Sequence, residues 1–114
     1  MYPTLDDAAM EPLPLTQKQI HPALLADLEK LNTILIDHGA AKVILYGSLA
    51  RGDFREHSDI DLCVAGMPER NYFRALAECM MHVRRRFSIL DLDRAYGNFR
   101  ERVLAEGEVL YERA

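Results

Sequence analysis

Residues 42–52 read Lys-Val-Ile-Leu-Tyr-Gly-Ser-Leu-Ala-Arg-Gly, and residues 58–62 read Ser-Asp-Ile-Asp-Leu. The first stretch is an apolar run leading into a Gly-Ser turn, and the second carries two carboxylates with one residue between them. Strand residues at i and i+2 share a face, so Asp59 and Asp61 are expected to project side by side. Two adjacent carboxylates are costly unless a divalent cation offsets them. The Gly47-Ser48 turn offers backbone N–H groups with little side chain in the way, which suits phosphate oxygens. A metal-binding carboxylate pair beside a phosphate cradle is the equipment of phosphoryl or nucleotidyl transfer.

Working outward, the run 42–46 reads as a first strand and 59–64 as a second, joined by a turn and a helical start. Upstream, Thr16 is a plausible N-cap for a helix to His38, with Pro22 either a kink or its true first turn. Leu24, Leu28, Leu31 and Leu35 form one stripe at helical spacing, and Gly39 suits the C′ position. Downstream, Tyr72, Phe73, Leu76, Met80 and Val83 predict an amphipathic helix from Pro68-Glu69 to about Arg85. Phe87–Leu92 is a short apolar strand. Asn98 with Glu101 fits a capping box for a last helix ending near Gly107, before a final strand at Val109-Leu110-Tyr111. The expected fold class is α/β (α+β), a small mixed β-sheet with helices packed on one face. Residues 1–15, with Pro3, Pro12 and Pro14 and no period, read as an extended Pro-rich arm, and 16–114 as the domain.

At 114 residues the chain is long enough for one modest core. Its net charge of −4 argues against a general nucleic-acid binder, so a nucleotide would be held by metal and local donors. Cys63 and Cys79 lie in apolar segments without metal-type spacing and read as reduced core thiols of a cytoplasmic protein. No apolar run approaches the roughly 18 residues of a membrane span, and the start lacks a secretory signal pattern.

The segment Gly47-Ser48-Leu49-Ala50-Arg51-Gly52 followed by Ser58-Asp59-Ile60-Asp61-Leu62 resembles the signature of the DNA polymerase β-like nucleotidyltransferase superfamily. Within it the chain is similar to the minimal nucleotidyltransferases, the MNT proteins that pair with HEPN-domain toxins. The likeness spans about 22–112, including the ending Phe99–Tyr111, and leaves out the N-terminal arm. It implies the polymerase β-like palm fold, Mg2+ as cofactor and ATP as substrate or ligand. It also implies a HEPN-domain toxin as partner, a cytoplasmic location, no membrane and no direct nucleic-acid contact, and it leaves a homodimer open. By residue, it implies that Gly47 and Ser48 hold the triphosphate. Asp59 and Asp61 would be catalytic and would hold the metal. Arg51 would either anchor the loop or a phosphate, or pair structurally with one of the carboxylates.

Active members of the family carry a third carboxylate on the neighbouring strand, in a segment of the form apolar-Asp-apolar-apolar-Asp-Leu. Here that segment is Phe87-Ser88-Ile89-Leu90-Asp91-Leu92, which puts Ser88 at the expected third-carboxylate position. A serine cannot deprotonate an attacking hydroxyl and is a poor magnesium ligand. Asp91 and Asp93 have the opposite strand parity, so a β-bulge near 89–90 would be needed to turn Asp91 inward.

Two function classes follow from the likeness. One is an enzyme that transfers AMP from ATP to a protein hydroxyl, a tyrosine of the HEPN toxin. The other is an impaired nucleotidyltransferase-fold antitoxin that neutralises its toxin by binding alone. A small-molecule nucleotidyltransferase ranks last, because the chain has no room for an acceptor domain. The remaining polar features have plain readings. His57 is a solvated loop residue or a phosphate contact, and Ser58 bonds backbone at the strand entrance. Arg84-Arg85-Arg86 closes the third helix or docks an acidic partner, and Met80-Met81 is core or partner-facing packing.

Overall fold

The computed structural model describes residues 22–52 and 58–114. The element order is α1 (Pro22–Asp37), β1 (Lys42–Tyr46), α2 (Gly47–Arg51), β2 (Ile60–Ala65), α3 (Glu69–His82), β3 (Phe87–Asp91), a 3-10 turn (Leu92–Arg94), α4 (Gly97–Glu106) and β4 (Glu108–Glu112). The expected arm at 1–15, the Thr16 cap, Asp53 and His57 lie outside the described residues.

The four strands form one mixed sheet in the order β3-β2-β1-β4. β1 runs antiparallel to both β2 and β4, while β2 and β3 are parallel. The β2–β3 connection is long enough for α3, as a parallel crossover requires. One register shift occurs, between Val43 and Ile44 in the β1–β4 pairing. The β2–β3 pairing is unbroken from Ile60↔Phe87 to Val64↔Asp91.

The alternation of β2 sorts its side chains onto two faces. Ile60, Leu62 and Val64 join Val43, Leu45 and Ile89 in the main core, beneath the leucine stripe of α1 and Ala75 and Cys79 of α3. Leu24, Leu28, Leu31 and Leu35 are all essentially inaccessible. Each such side chain contributes roughly 1.5–3 kcal/mol by leaving water. α1 stops where the sequence indicates: Gly39 takes φ +96, and the Gly39 and Ala40 N–H groups donate to the carbonyls of Ile36 and Leu35.

The opposite face carries a smaller cluster of Ile44, Cys63, Leu92 and Val103. Val103 belongs to α4, so the last helix covers part of this second face while α1 and α3 share the first. The boundaries of α3 and α4 differ from expectation. α3 ends at His82 because Val83 turns extended (φ −127, ψ 123) and drops its side chain into the core. α4 begins at Gly97 with Tyr96 as N-cap and no side-chain cap, so the Asn98/Glu101 capping box does not form its start.

Candidate functional site

Three strand residues line up across the sheet. Tyr46 closes β1 and pairs with Asp61 of β2, which in turn pairs with Ser88 of β3. Asp61 has the parity of Cys63 and Ile44, so it lies on the sheet face opposite α1 and α3. Its carboxylate is held on two sides. The Ser88 hydroxyl donates to Asp61 Oδ1 at 2.9 Å. On the other side Gly47, with φ +77, packs so closely that a Cβ at this position would run into Asp61 Oδ2. Only glycine satisfies both the backbone conformation and the approach. The hydroxyl of Tyr46 lies 3.5 Å from Ser88 Oγ, and its ring meets Phe99 of α4 edge-on at 5.6 Å.

Asp59 lies one residue before β2, not within it as expected. The Ile60 N–H that starts the strand donates to the Arg86 carbonyl, and the Arg86 guanidinium is 3.7 Å from Asp59 Oδ1. Gly47 and Ser48 open α2 directly after β1, and Tyr46 as N-cap supplies no side-chain acceptor to its first turn. The start of α2 thus lies directly beside Asp61, against which Gly47 packs. Arg51, the last residue of α2, lines a cavity of about 190 Å3 with Tyr46, Gly47, Phe99 and Arg102. Ser58 is half-buried just ahead of Asp59.

The carboxylates of the neighbouring strand point elsewhere. Asp91 pairs with Val64, a core-side residue. Its Oδ1 accepts the Asp93 N–H at 2.9 Å, and Arg94 stands 3.7 Å from its other oxygen. Asp93 accepts the Gly66 N–H. With the β2–β3 register unbroken, Ser88 is the β3 residue that stands beside Asp61. Among the described residues no three His, Cys, Asp or Glu side chains cluster as a metal-binding group. Two carboxylates within one tripeptide, each with an oxygen not bonded to the protein in the contacts above, suit a single hard cation whose other ligands are phosphate and water.

Among the described residues beside Asp61, two groups hold their protons more tightly than usual. Burial, reinforced by the charges of Asp61 and Asp91, pushes the Cys63 thiol up to about 11. Burial also raises the Tyr46 hydroxyl; the Ser88 hydrogen bond opposes this, while the Cys63 and Asp61 charges add to it. Cys63 is fully buried and fills space beneath Asp61, as the sequence indicated for a small core thiol.

Two participants were not foreseen. Arg86 was assigned to a helix end or a partner surface, yet it stands against Asp59, while Arg85 pairs with Asp27 of α1 at 3.3 Å. Tyr46 could have been found: in an antiparallel hairpin, the residue just before the Gly-Ser turn falls across from the Asp-x-Asp.

The family model "Polymerase beta, Nucleotidyltransferase" matches residues 29–114, three quarters of the chain and all of the strands above. The chain belongs to the polymerase β nucleotidyltransferase family. Solved structures of this fold agree. One described as a "putative minimal nucleotidyltransferase" is 29% identical, with TM-score 0.62, over 86% of this chain and 97% of that one. A toxin–antitoxin structure with AMP-PNP is 20% identical, with TM-score 0.62, over 74% of this chain and 72% of that one. A MntA-HepT toxin–antitoxin structure is 17% identical, with TM-score 0.58, over 77% and 72%. The last two establish likeness of fold alone. No curated protein sequence matches the chain. Among the described residues, no helix of this nucleotidyltransferase is long and apolar enough to cross a membrane.

Proposed function

We propose that this nucleotidyltransferase is a cytoplasmic antitoxin that binds Mg·ATP at Gly47, Ser48, Asp59 and Asp61 and transfers AMP to a tyrosine hydroxyl of a HEPN-domain toxin. The observation that carries the reading is the packing of Gly47 against the Asp61 carboxylate. It sets the start of α2 next to an anionic side chain, which suits a triphosphate that arrives with its cation. Asp59 and Asp61 would hold Mg2+, which when bound offsets their charge and that of the phosphates. Arg51, at the far end of α2, adds positive charge toward the same nucleotide. In the transfer, the acceptor oxygen bonds to the α-phosphorus, the bond from that phosphorus to the bridging oxygen breaks, and pyrophosphate departs. The acceptor's proton must leave as that bond forms.

Ser88 supports a second reading. Where a carboxylate could take the acceptor's proton, this chain presents a hydroxyl that is itself donating to Asp61. The protein then retains nucleotide binding and neutralises its toxin by covering it.

Incubation of the chain and its cognate toxin with α-phosphate-labelled ATP separates the two. Label on a toxin tyrosine, lost in the Asp59→Asn/Asp61→Asn double variant, is the result expected of the first. Neutralisation at one chain per toxin with no label favours the second. Unchanged Mg·ATP affinity of the double variant in calorimetry would remove both.

A further inference from the structure

The geometry points to a nucleotide site that takes one divalent cation per nucleotide, with Ser88 as the residue that keeps a second one out. This rests on the nucleotide-binding reading above and deepens it. Two-cation transfer sites hold their ions about 3.5–4 Å apart, and two like charges so close need protein anions besides the phosphates to offset them. Among the described residues, the protein anions at this site are Asp59 and Asp61. A second ion beside Asp61 would have to be served from β3, and the β3 residue beside Asp61 is Ser88. Its hydroxyl is neutral and points its proton at Asp61 Oδ1 from 2.9 Å, so the space between the two side chains holds a hydrogen bond. The Tyr46 hydroxyl, 3.5 Å from Ser88 Oγ, adds a further neutral neighbour on the same side. The nearest β3 carboxylate, Asp91, shares the parity of the core-side residues and is engaged by the Asp93 N–H and by Arg94. Asp59 has Arg86 on one flank. What these contacts leave for an ion, among the described residues, is the Asp59 and Asp61 pair itself.

Ser88 is thus a positioning residue: it fixes Asp61 and sets the ion count without touching the nucleotide. The test uses the full chain with Mn2+ and AMP-PNP, read by equilibrium dialysis and electron paramagnetic resonance, so that no turnover is required. One protein-bound Mn2+ per nucleotide, with the spectrum of an isolated ion, is expected for the wild type and for Ser88→Ala. Ser88→Asp should gain a second ion and a spin-coupled spectrum. Two coupled ions in the wild type would overturn the count while leaving the nucleotide site standing. A Ser88→Asp chain that binds nucleotide but holds one ion would overturn the role of position 88. Loss of the single ion in Ser88→Ala would make the hydroxyl a ligand and also overturn it. If Ser88→Asp does not fold, Ser88→Glu and the wild-type count still decide. No Mn2+ retained with AMP-PNP by any chain would overturn the inference together with the site itself, which separates the two failures.

Discussion

The Ser88 hydroxyl donates to Asp61 Oδ1 at 2.9 Å across the parallel pairing of β2 and β3, where the two residues are direct register partners. The contact ties the start of the interior strand β2 to the edge strand β3. A hydrogen bond to a charged group contributes more than a neutral one, though solvent exposure of this face reduces it.

Ser88→Ala therefore removes the partner of Asp61 Oδ1 and should lower folding stability by about 1 kcal/mol in metal-free buffer. Urea unfolding with a chelator present measures it. Ser88→Thr, which keeps the hydroxyl, should restore most of the loss. Equal stability of the alanine and serine chains would mean that water serves Asp61 as well as Ser88 does.

Gly47→Ala should be harsher. The position needs φ +77, and its new Cβ would collide with Asp61 Oδ2. Left-handed backbone at a non-glycine residue costs on the order of 1–3 kcal/mol, and Asp61 must also move. Both thermal stability and Mg·AMP-PNP affinity should fall, the affinity by at least tenfold. Gly52→Ala, with φ +88 and no described residue within 4 Å of the added Cβ, should lose stability and keep the affinity. Affinity retained in Gly47→Ala would separate the nucleotide from Asp61.

The contrast between these glycines shows what the sequence could and could not reveal. The Gly-Ser turn and the Asp-x-Asp were legible because each is a local pattern with a fixed period, and strand parity placed Asp61 and Ser88 on one face. The leucine stripe of α1 and the Gly39 stop were legible for the same reason. Arg86 was not. Its role depends on where α3 stops, and that is decided by Val83 burying its side chain rather than by any helix-breaking residue. The placement of α4 over the second face was equally hidden, since it follows from Val103 meeting Ile44 and Cys63 across forty or more residues of chain. The capping-box pattern at Asn98 was present in sequence and unused in structure, because the helix starts two residues earlier, at Gly97 with Tyr96 as N-cap.

Asp91→Asn and Asp61→Asn should behave in opposite ways. Asp91 faces the core side of the sheet and caps the 3-10 turn through the Asp93 N–H, so its amide variant should keep Mg·AMP-PNP affinity within about twofold. Stability should fall only slightly, since an amide oxygen still accepts that bond but no longer attracts the exposed Arg94. Asp61→Asn should lose nucleotide binding and keep its stability. Calorimetry and urea unfolding on the same two preparations check both. Loss of affinity in Asp91→Asn would mean that β3 shifts its register when nucleotide binds.

The two buried thiols set the alkaline limit of the fold. Burial, with the Asp61 and Asp91 charges for Cys63 and the Glu78 charge for Cys79, raises each from 9.0 to about 11. A thiol raised in the folded state stays protonated there while its unfolded counterpart ionises. Its contribution is therefore complete below pH 9 and is lost progressively as pH rises from 9 through 11. A two-unit shift corresponds to roughly 2–3 kcal/mol per thiol once both states are ionised. Burial raises Tyr46 and Tyr72 as well, from 10.0, so part of the alkaline loss does not depend on the thiols. Urea unfolding under reducing conditions at pH 7, 9 and 10.5 should show the wild type weakening steeply above pH 9. A Cys63→Ala/Cys79→Ala chain, less stable at pH 7 for want of core volume, should weaken with a visibly shallower slope. Parallel slopes would mean that the thiols ionise in the folded protein as readily as in the unfolded one, and that the second face around Cys63 opens to water at high pH.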